Sequence, residues 1–254
     1  MTRRLWAVLI AVLFLLGGCA GLGTGSSPSR DKGRADAFLR LGASYLRQGQ
    51  TTPALRELLK AEQLDPDNPE IQNHLGLTYM AKKKYPLAVE RFLRALKLKP
   101  RFPTAHNNLG AAYMEMGRYQ QALAEFNTAL ADLLYGTPHF AYNNIGLVYL
   151  RQKKYPQAAA AFKQAIENSA RYSSAYNNLG LTYLAQGRNQ DAVDAFKRAI
   201  KYSPQYALAY YNLGETLERM DRIDEAKQEY KRVMELAPDT KLAESARDRL
   251  KSLP

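Results

Sequence analysis

The chain has 254 residues, with 36 lysines and arginines against 24 aspartates and glutamates, a formal charge of +12. Its average polarity excludes a multi-span membrane protein, and its modest glycine and proline content excludes a collagenous or low-complexity chain. A single cysteine excludes a disulfide framework and a multi-cysteine metal site. The cationic excess would suit an anionic partner such as nucleic acid or a phospholipid surface, but it is spread over many helices, as on a solvated surface.

In chain order, Arg3 and Arg4 open on a positive charge, and Leu5 to Leu16 is an unbroken apolar run of 12 residues. At about 1.5 Å per residue this run reaches only about 18 Å, short of the roughly 30 Å hydrocarbon core of a bilayer. A positive start followed by a short apolar run is the pattern of an export signal. It ends in Leu16-Gly17-Gly18-Cys19, which resembles a bacterial lipobox. Residues 1–19 are therefore read as a lipoprotein signal peptide, with Cys19 as the acylated residue and a lipid anchor as the consequence. Ala20, in place of an aspartate, resembles the proteobacterial signal for the outer membrane, with the folded part facing the periplasm. Residues 20–34 carry four glycines, three serines and a proline without apolar periodicity, the composition of a flexible linker.

The remainder repeats. Gly42, Gly76, Gly110, Gly146, Gly180 and Gly214 are separated by 34, 34, 36, 34 and 34 residues. An aliphatic residue precedes each. Tyrosine follows three residues later in all but the last, where Leu217 stands. Alanine recurs twelve residues after each glycine, a large residue sixteen after (Leu58, Phe92, Phe126, Phe162, Phe196, Tyr230), and Ala or Val nineteen after. Each unit reads as two antiparallel helices turning near Gly49, Gly117 or Gly187. Glycine and alanine let the backbones approach, and the large residues fill the space between them. Pro66, Pro100, Pro204 and Pro238 close four units, since proline cannot continue a helix. One hairpin cannot bury its apolar face alone, so the units must stack into a solenoid.

The L-G-x-x-Y, A, F, A and P columns are those of the tetratricopeptide repeat, which the chain resembles over residues 35–240. The fold class expected is all-α: a right-handed superhelical solenoid of six repeats, at 35–68, 69–102, 103–138, 139–172, 173–206 and 207–240. Residues 241–254 supply a capping helix with Leu242, Ala246 and Leu250 on its apolar face. The third gap is two residues longer, and its text LLYGTPHFAY is expected to change the angle between repeats three and four.

First helices line the concave face of such a solenoid. On them stand Asn73 with His74, Asn107 with Asn108, Asn143 with Asn144, Asn177 with Asn178, and Asn212. Asparagine is a poor helix-interior residue, so its recurrence implies a task. Its amide can donate and accept at once, either to the backbone of a bound peptide or between neighbouring helices. Further along the same helices come Leu77, Leu147 and Leu181, then Met80, Met114, Leu150 and Leu184. Apolar walls beside an amide ladder suit an extended or helical apolar segment of a protein partner. The carboxylate-clamp variety of the family needs cations where this chain has Asp36, Glu70, Thr104, Phe140 and Ser174. The second repeat is basic, at Lys82, Lys83, Lys84, Arg91, Arg94, Lys97, Lys99 and Arg101. That cluster reads as a solvated convex face, with contact to anionic lipid as the alternative.

No catalytic constellation, cofactor site or metal site is expected. His74, His106 and His139 lack ligand spacing, and no phosphate-binding loop or Ser-His-Asp arrangement stands out. Nucleic acid is not expected as a partner of an exported chain. The layout, together with the segment LLYGTPHFAYNNIG, resembles the type IV pilus biogenesis lipoproteins, the pilotins. That resemblance implies a scaffold helping an outer-membrane secretin to assemble. A tetratricopeptide scaffold lipoprotein of outer-membrane-protein assembly or of cell-wall enzyme complexes is the alternative.

Overall fold

The computed structural model describes residues 28–254, so the signal sequence, Cys19 and the first part of the linker lie outside the described residues. Twelve helices form six hairpins. They are α1 (Pro28–Arg47) with α2 (Thr51–Leu64), α3 (Pro69–Ala81) with α4 (Tyr85–Leu98), α5 (Pro103–Glu115) with α6 (Tyr119–Leu130), α7 (Pro138–Arg151) with α8 (Tyr155–Asn168), α9 (Ser173–Ala185) with α10 (Asn189–Tyr202), and α11 (Ala207–Arg219) with α12 (Ile223–Leu236). A thirteenth, α13 (Lys241–Ser252), packs on α12 and α11 and closes the row. Among the described residues there is no strand, and no helix is long and apolar enough to cross a membrane.

Local sequence sets the helix ends. Proline opens α3, α5 and α7, where a missing N–H costs nothing. Asn68 caps α3 by accepting from the backbone N–H of Glu70 and Ile71, and Thr240 caps α13 through Ala243 N–H. The turn inside every hairpin puts the seventh residue after the repeat glycine in the left-handed region. Gly49, Gly117 and Gly187 do so at φ +73°, and Lys83, Lys153 and Asp221 at 56°, 58° and 61°. In the Lys83 turn, Lys84 N–H reaches Tyr79 O at 2.8 Å and Lys83 N–H reaches Met80 O at 2.9 Å, which satisfies the last carbonyls of α3.

The recurring columns are the core. All six alanines at the twelfth position, the large residues at the sixteenth, and the alanines or valine at the nineteenth have no exposed surface. The repeat glycine faces the large residue: a Cβ on Gly146 would stand 2.5 Å from the Phe162 ring, and one on Gly180 2.6 Å from the Phe196 ring. Only glycine admits the ring at that separation. The leucine column is buried from Leu75 onward, whereas Leu41, on the first described helix, is 42% exposed.

Two features differ from the sequence reading. Residues 28–34, read as the end of a flexible linker, are the first two turns of α1. Asp31 lies in the first turn and pairs with Arg34 at 3.4 Å, and Ala35 just beyond is fully buried, so a polar face turned to solvent was mistaken for a tether. Pro138, assigned to the end of the third repeat, instead opens α7. Five of the connections between hairpins, and to α13, have four residues, whereas α6 stops two residues early and 131–137 makes a connection of seven. Tyr135 is buried in that loop, while Leu133 and Leu134 are 99% and 92% exposed.

Candidate functional site: the concave face

The backbones of successive first helices approach within 8 Å, Cα to Cα, all along the row, whereas among the described residues those of the second helices α2 to α12 do not. First helices are therefore closely spaced and second helices splayed, which places α3, α5, α7, α9 and α11 on the inner, concave side.

The asparagines form a ladder within the protein. Asn108 Nδ2 donates to Asn73 Oδ1 at 2.9 Å, Asn144 to Asn107 at 3.1 Å, Asn178 to Asn143 at 2.9 Å and Asn212 to Asn177 at 2.8 Å. The second asparagine of each repeat thus reaches the first asparagine of the repeat before it. The ends of the ladder follow the same logic. Repeat two needs only an acceptor, and has Asn73 beside His74; repeat six needs only a donor, and has Tyr211 beside Asn212. His74 turns back along α3, its Nδ1 lying 2.8 Å from Glu70 O. Of the two uses open to these amides, bonding between neighbouring helices is the one seen. It leaves uncommitted only the Nδ2 of each first asparagine and the Oδ1 of each second.

The acceptor residues Asn73, Asn107, Asn143 and Asn177 are buried, as is Asn212, while Asn108, Asn144 and Asn178 are half-buried. Among the apolar wall residues, Leu77, Met80, Leu147, Leu150, Leu181 and Leu184 are half-buried and pack on the core with one side. Met114 is the exception, only 5% exposed. It belongs to the packing between repeats three and four rather than to an open wall, and Arg151 Nη1 donates to its carbonyl at 3.2 Å.

Some charges outside the groove join one repeat to the next. Arg91 binds Glu62 and donates to Gln72 Oε1 at 3.1 Å, Arg94 donates to Pro66 O at 3.0 Å, and Lys99 meets Glu70 at 2.9 Å. Arg91 and Arg94 thus stitch the basic second repeat to the first, while Lys99 pairs within the second. His106 Nδ1 lies 2.7 Å from Glu125, and that carboxylate holds the imidazole above its usual pKa against the opposing effect of burial; burial alone lowers His139. Among the described residues, no three or more His, Cys, Asp or Glu side chains are grouped to hold a metal ion.

The chain matches the family model described as the cilia and flagella-associated protein 70 C-terminal domain over residues 24–251. Among solved structures it is similar to pilF of Pseudomonas aeruginosa, with a TM-score of 0.69 and 23% identity over 86% of this chain and 99% of that one. It is also similar to PilW, described as a widely conserved type IV pilus biogenesis factor, with a TM-score of 0.73 and 22% identity over 83% and 97% of the two chains. YrrB, described as a TPR protein with an unusual peptide-binding site, aligns with a TM-score of 0.51 and 20% identity over 75% and 97%. At these identities the likeness is one of fold. No curated protein matches the chain.

Proposed function

The chain belongs to the family of the cilia and flagella-associated protein 70 C-terminal domain, a tetratricopeptide-repeat family, and on that premise we propose that it is a non-enzymatic scaffold binding a protein partner along its concave face. The observation that carries this reading is the pair of half-buried leucines on each of α7 and α9, Leu147 with Leu150 and Leu181 with Leu184, beside amide atoms that the asparagine ladder leaves uncommitted. Such a surface offers apolar contact to alternate side chains of an extended or helical segment and hydrogen bonds to its backbone. Domain limits follow the sequence reading, with α1 taken back to Pro28.

The Leu16-Gly17-Gly18-Cys19 signal supports acylation at Cys19 and residence at the outer membrane, facing the periplasm. The span of the likeness to pilF and PilW supports a role in type IV pilus biogenesis, with a secretin as the partner assembled. The test is to purify the native lipoprotein from detergent extracts, identify what accompanies it, and repeat with Leu150→Asp and Leu184→Asp together. A secretin lost from the variant supports the reading. A secretin retained by a variant of unchanged helicity removes the groove from it, and a wild type that brings down no envelope protein removes the scaffold role.

A further inference from the structure

The edge of the solenoid carrying the connections between hairpins is also the edge at which α1 begins, because every first helix starts there and ends at a hairpin turn. Any tether preceding Pro28 therefore enters the folded part on that edge. Its middle carries the two most exposed large apolar residues, Leu133 and Leu134, with the partly exposed Phe140 at the start of α7 and Tyr202 at the end of α10. Interleaved with them are exposed Arg101, Arg171 and Lys201, none of which has a salt bridge among the described residues. Two acids lie near them: Asp132, which accepts Leu134 N–H at 2.9 Å, and Glu167, which accepts from Gln164 at 2.8 Å. The outer connections, 65–68 and 237–240, hold Asp65, Asp67 and Asp239 but no leucine and no aromatic residue. Leucines and aromatic rings flanked by free cations are the composition of a surface seated in the headgroup region of an anionic bilayer.

We propose that this edge, centred on Leu133 and Leu134, dips into the surface of the membrane to which the chain is tethered. The inference rests on the anchored reading given above. From Cys19 to Pro28 is nine residues (28 − 19), which span at most about 30 Å fully extended. An acylated Cys19 thus holds the edge against the bilayer at high local concentration, where a shallow apolar contact suffices. Seating the row edge-on would leave the concave groove open toward the periplasm. Tyr135, next in the same connection, is buried in the core and pins the connection there.

The experiment uses the full, acylated chain in vesicles of phosphatidylethanolamine and phosphatidylglycerol, with an environment-sensitive fluorophore on Leu134→Cys. A second preparation carries it on Lys154→Cys, at the opposite, turn edge. Spin-labelled lipids should quench the reporter at 134 and leave that at 154 bright. Adding Leu133→Asp should shift the docked-to-undocked ratio by about tenfold or more, and exchanging phosphatidylglycerol for a zwitterionic lipid should also weaken quenching. Vesicle flotation reports the anchor separately. Protein that floats but shows equal, wet signals at 134 and 154 overturns the membrane contact and leaves the anchor standing. Protein that does not float overturns the anchor, and this inference with it. A floated protein whose 134 reporter turns dry only on adding purified secretin makes the edge a protein-docking site instead.

Discussion

The interior of each hairpin and the edge between hairpins obey different rules. Inside, the same contact is made six times: a glycine on the first helix receives a large side chain sixteen residues later, with alanines on either side. At the edge, five connections of four residues are interrupted by one of seven, and exposed leucines, tyrosines and charges vary from one connection to the next. The regular part is fixed by close approach, which tolerates one residue type per position. The edge meets solvent or partners and is free to differ. Stability therefore resides in the columns, and the features that distinguish this solenoid from another lie outside them.

Two glycines ten residues apart divide along this line. A Cβ on Gly146 would meet the Phe162 ring at 2.5 Å, whereas one on Gly136, in the long connection, would meet nothing within 4 Å. Gly146→Val should cost about 3 kcal/mol or more, since ring and helix must part. Gly136→Val should change stability by less than about 0.5 kcal/mol. Chemical denaturation of both variants checks the pair, and equal effects would mean that the hairpin interior yields more easily than its packing implies.

A smaller contrast lies within the asparagine ladder. The bond from Asn212 to Asn177 is buried on both sides, whereas that from Asn144 to Asn107 is half open to water. Asn177→Ala strands the Asn212 amide in a dry site and should cost about 1–3 kcal/mol. Asn144→Ala leaves the Asn107 carbonyl within reach of water and should cost about 1 kcal/mol or less. If Asn144→Ala instead spares stability and weakens partner binding, its uncommitted Oδ1 is a contact of the groove.

The ladder also shows what could and could not be read from the letters. Core columns were legible because each is a size requirement repeated six times. The asparagines were legible as a purpose but not as a geometry. The clue lies in the spacing: a second asparagine stands 35 or 37 residues after the first asparagine of the repeat before it, and the end repeats keep only the member they need. The start of α1 was missed because the glycine- and serine-rich text runs into it without a break, although Pro28 at the helix start and Asp31 in the first turn fit a helix N-terminus. Arg91 was read as part of a solvated cationic run, because its partner Glu62 lies in a different repeat and only the stacked fold joins them. The bareness of Leu133 and Leu134 depends on the early end of α6, which no local propensity announces.

The smallest expected effect compares two histidines that the long connection separates. His106 gains a proton acceptor in Glu125 and has a raised pKa in the fold; His139 packs against the Phe140 and Tyr172 rings, with centroids 4.2 and 5.1 Å away, and burial lowers its pKa. The two signs are opposite. The contribution of His106 is fully present below the unfolded pKa of about 6.5 and is lost as pH rises through the higher folded value. That of His139 is present above about 6.5 and is lost as pH falls through the lower folded value. His106→Gln should therefore cost more stability at pH 5.5 than at pH 8, and His139→Gln more at pH 8 than at pH 5.5, each difference being about 1 kcal/mol or less. Denaturant midpoints for both variants and the wild type at the two pH values give the signs directly. A His106 variant whose cost did not change with pH would mean that Glu125 holds the imidazole by a hydrogen bond to its neutral form, and that the joint at the foot of the long connection is not charged.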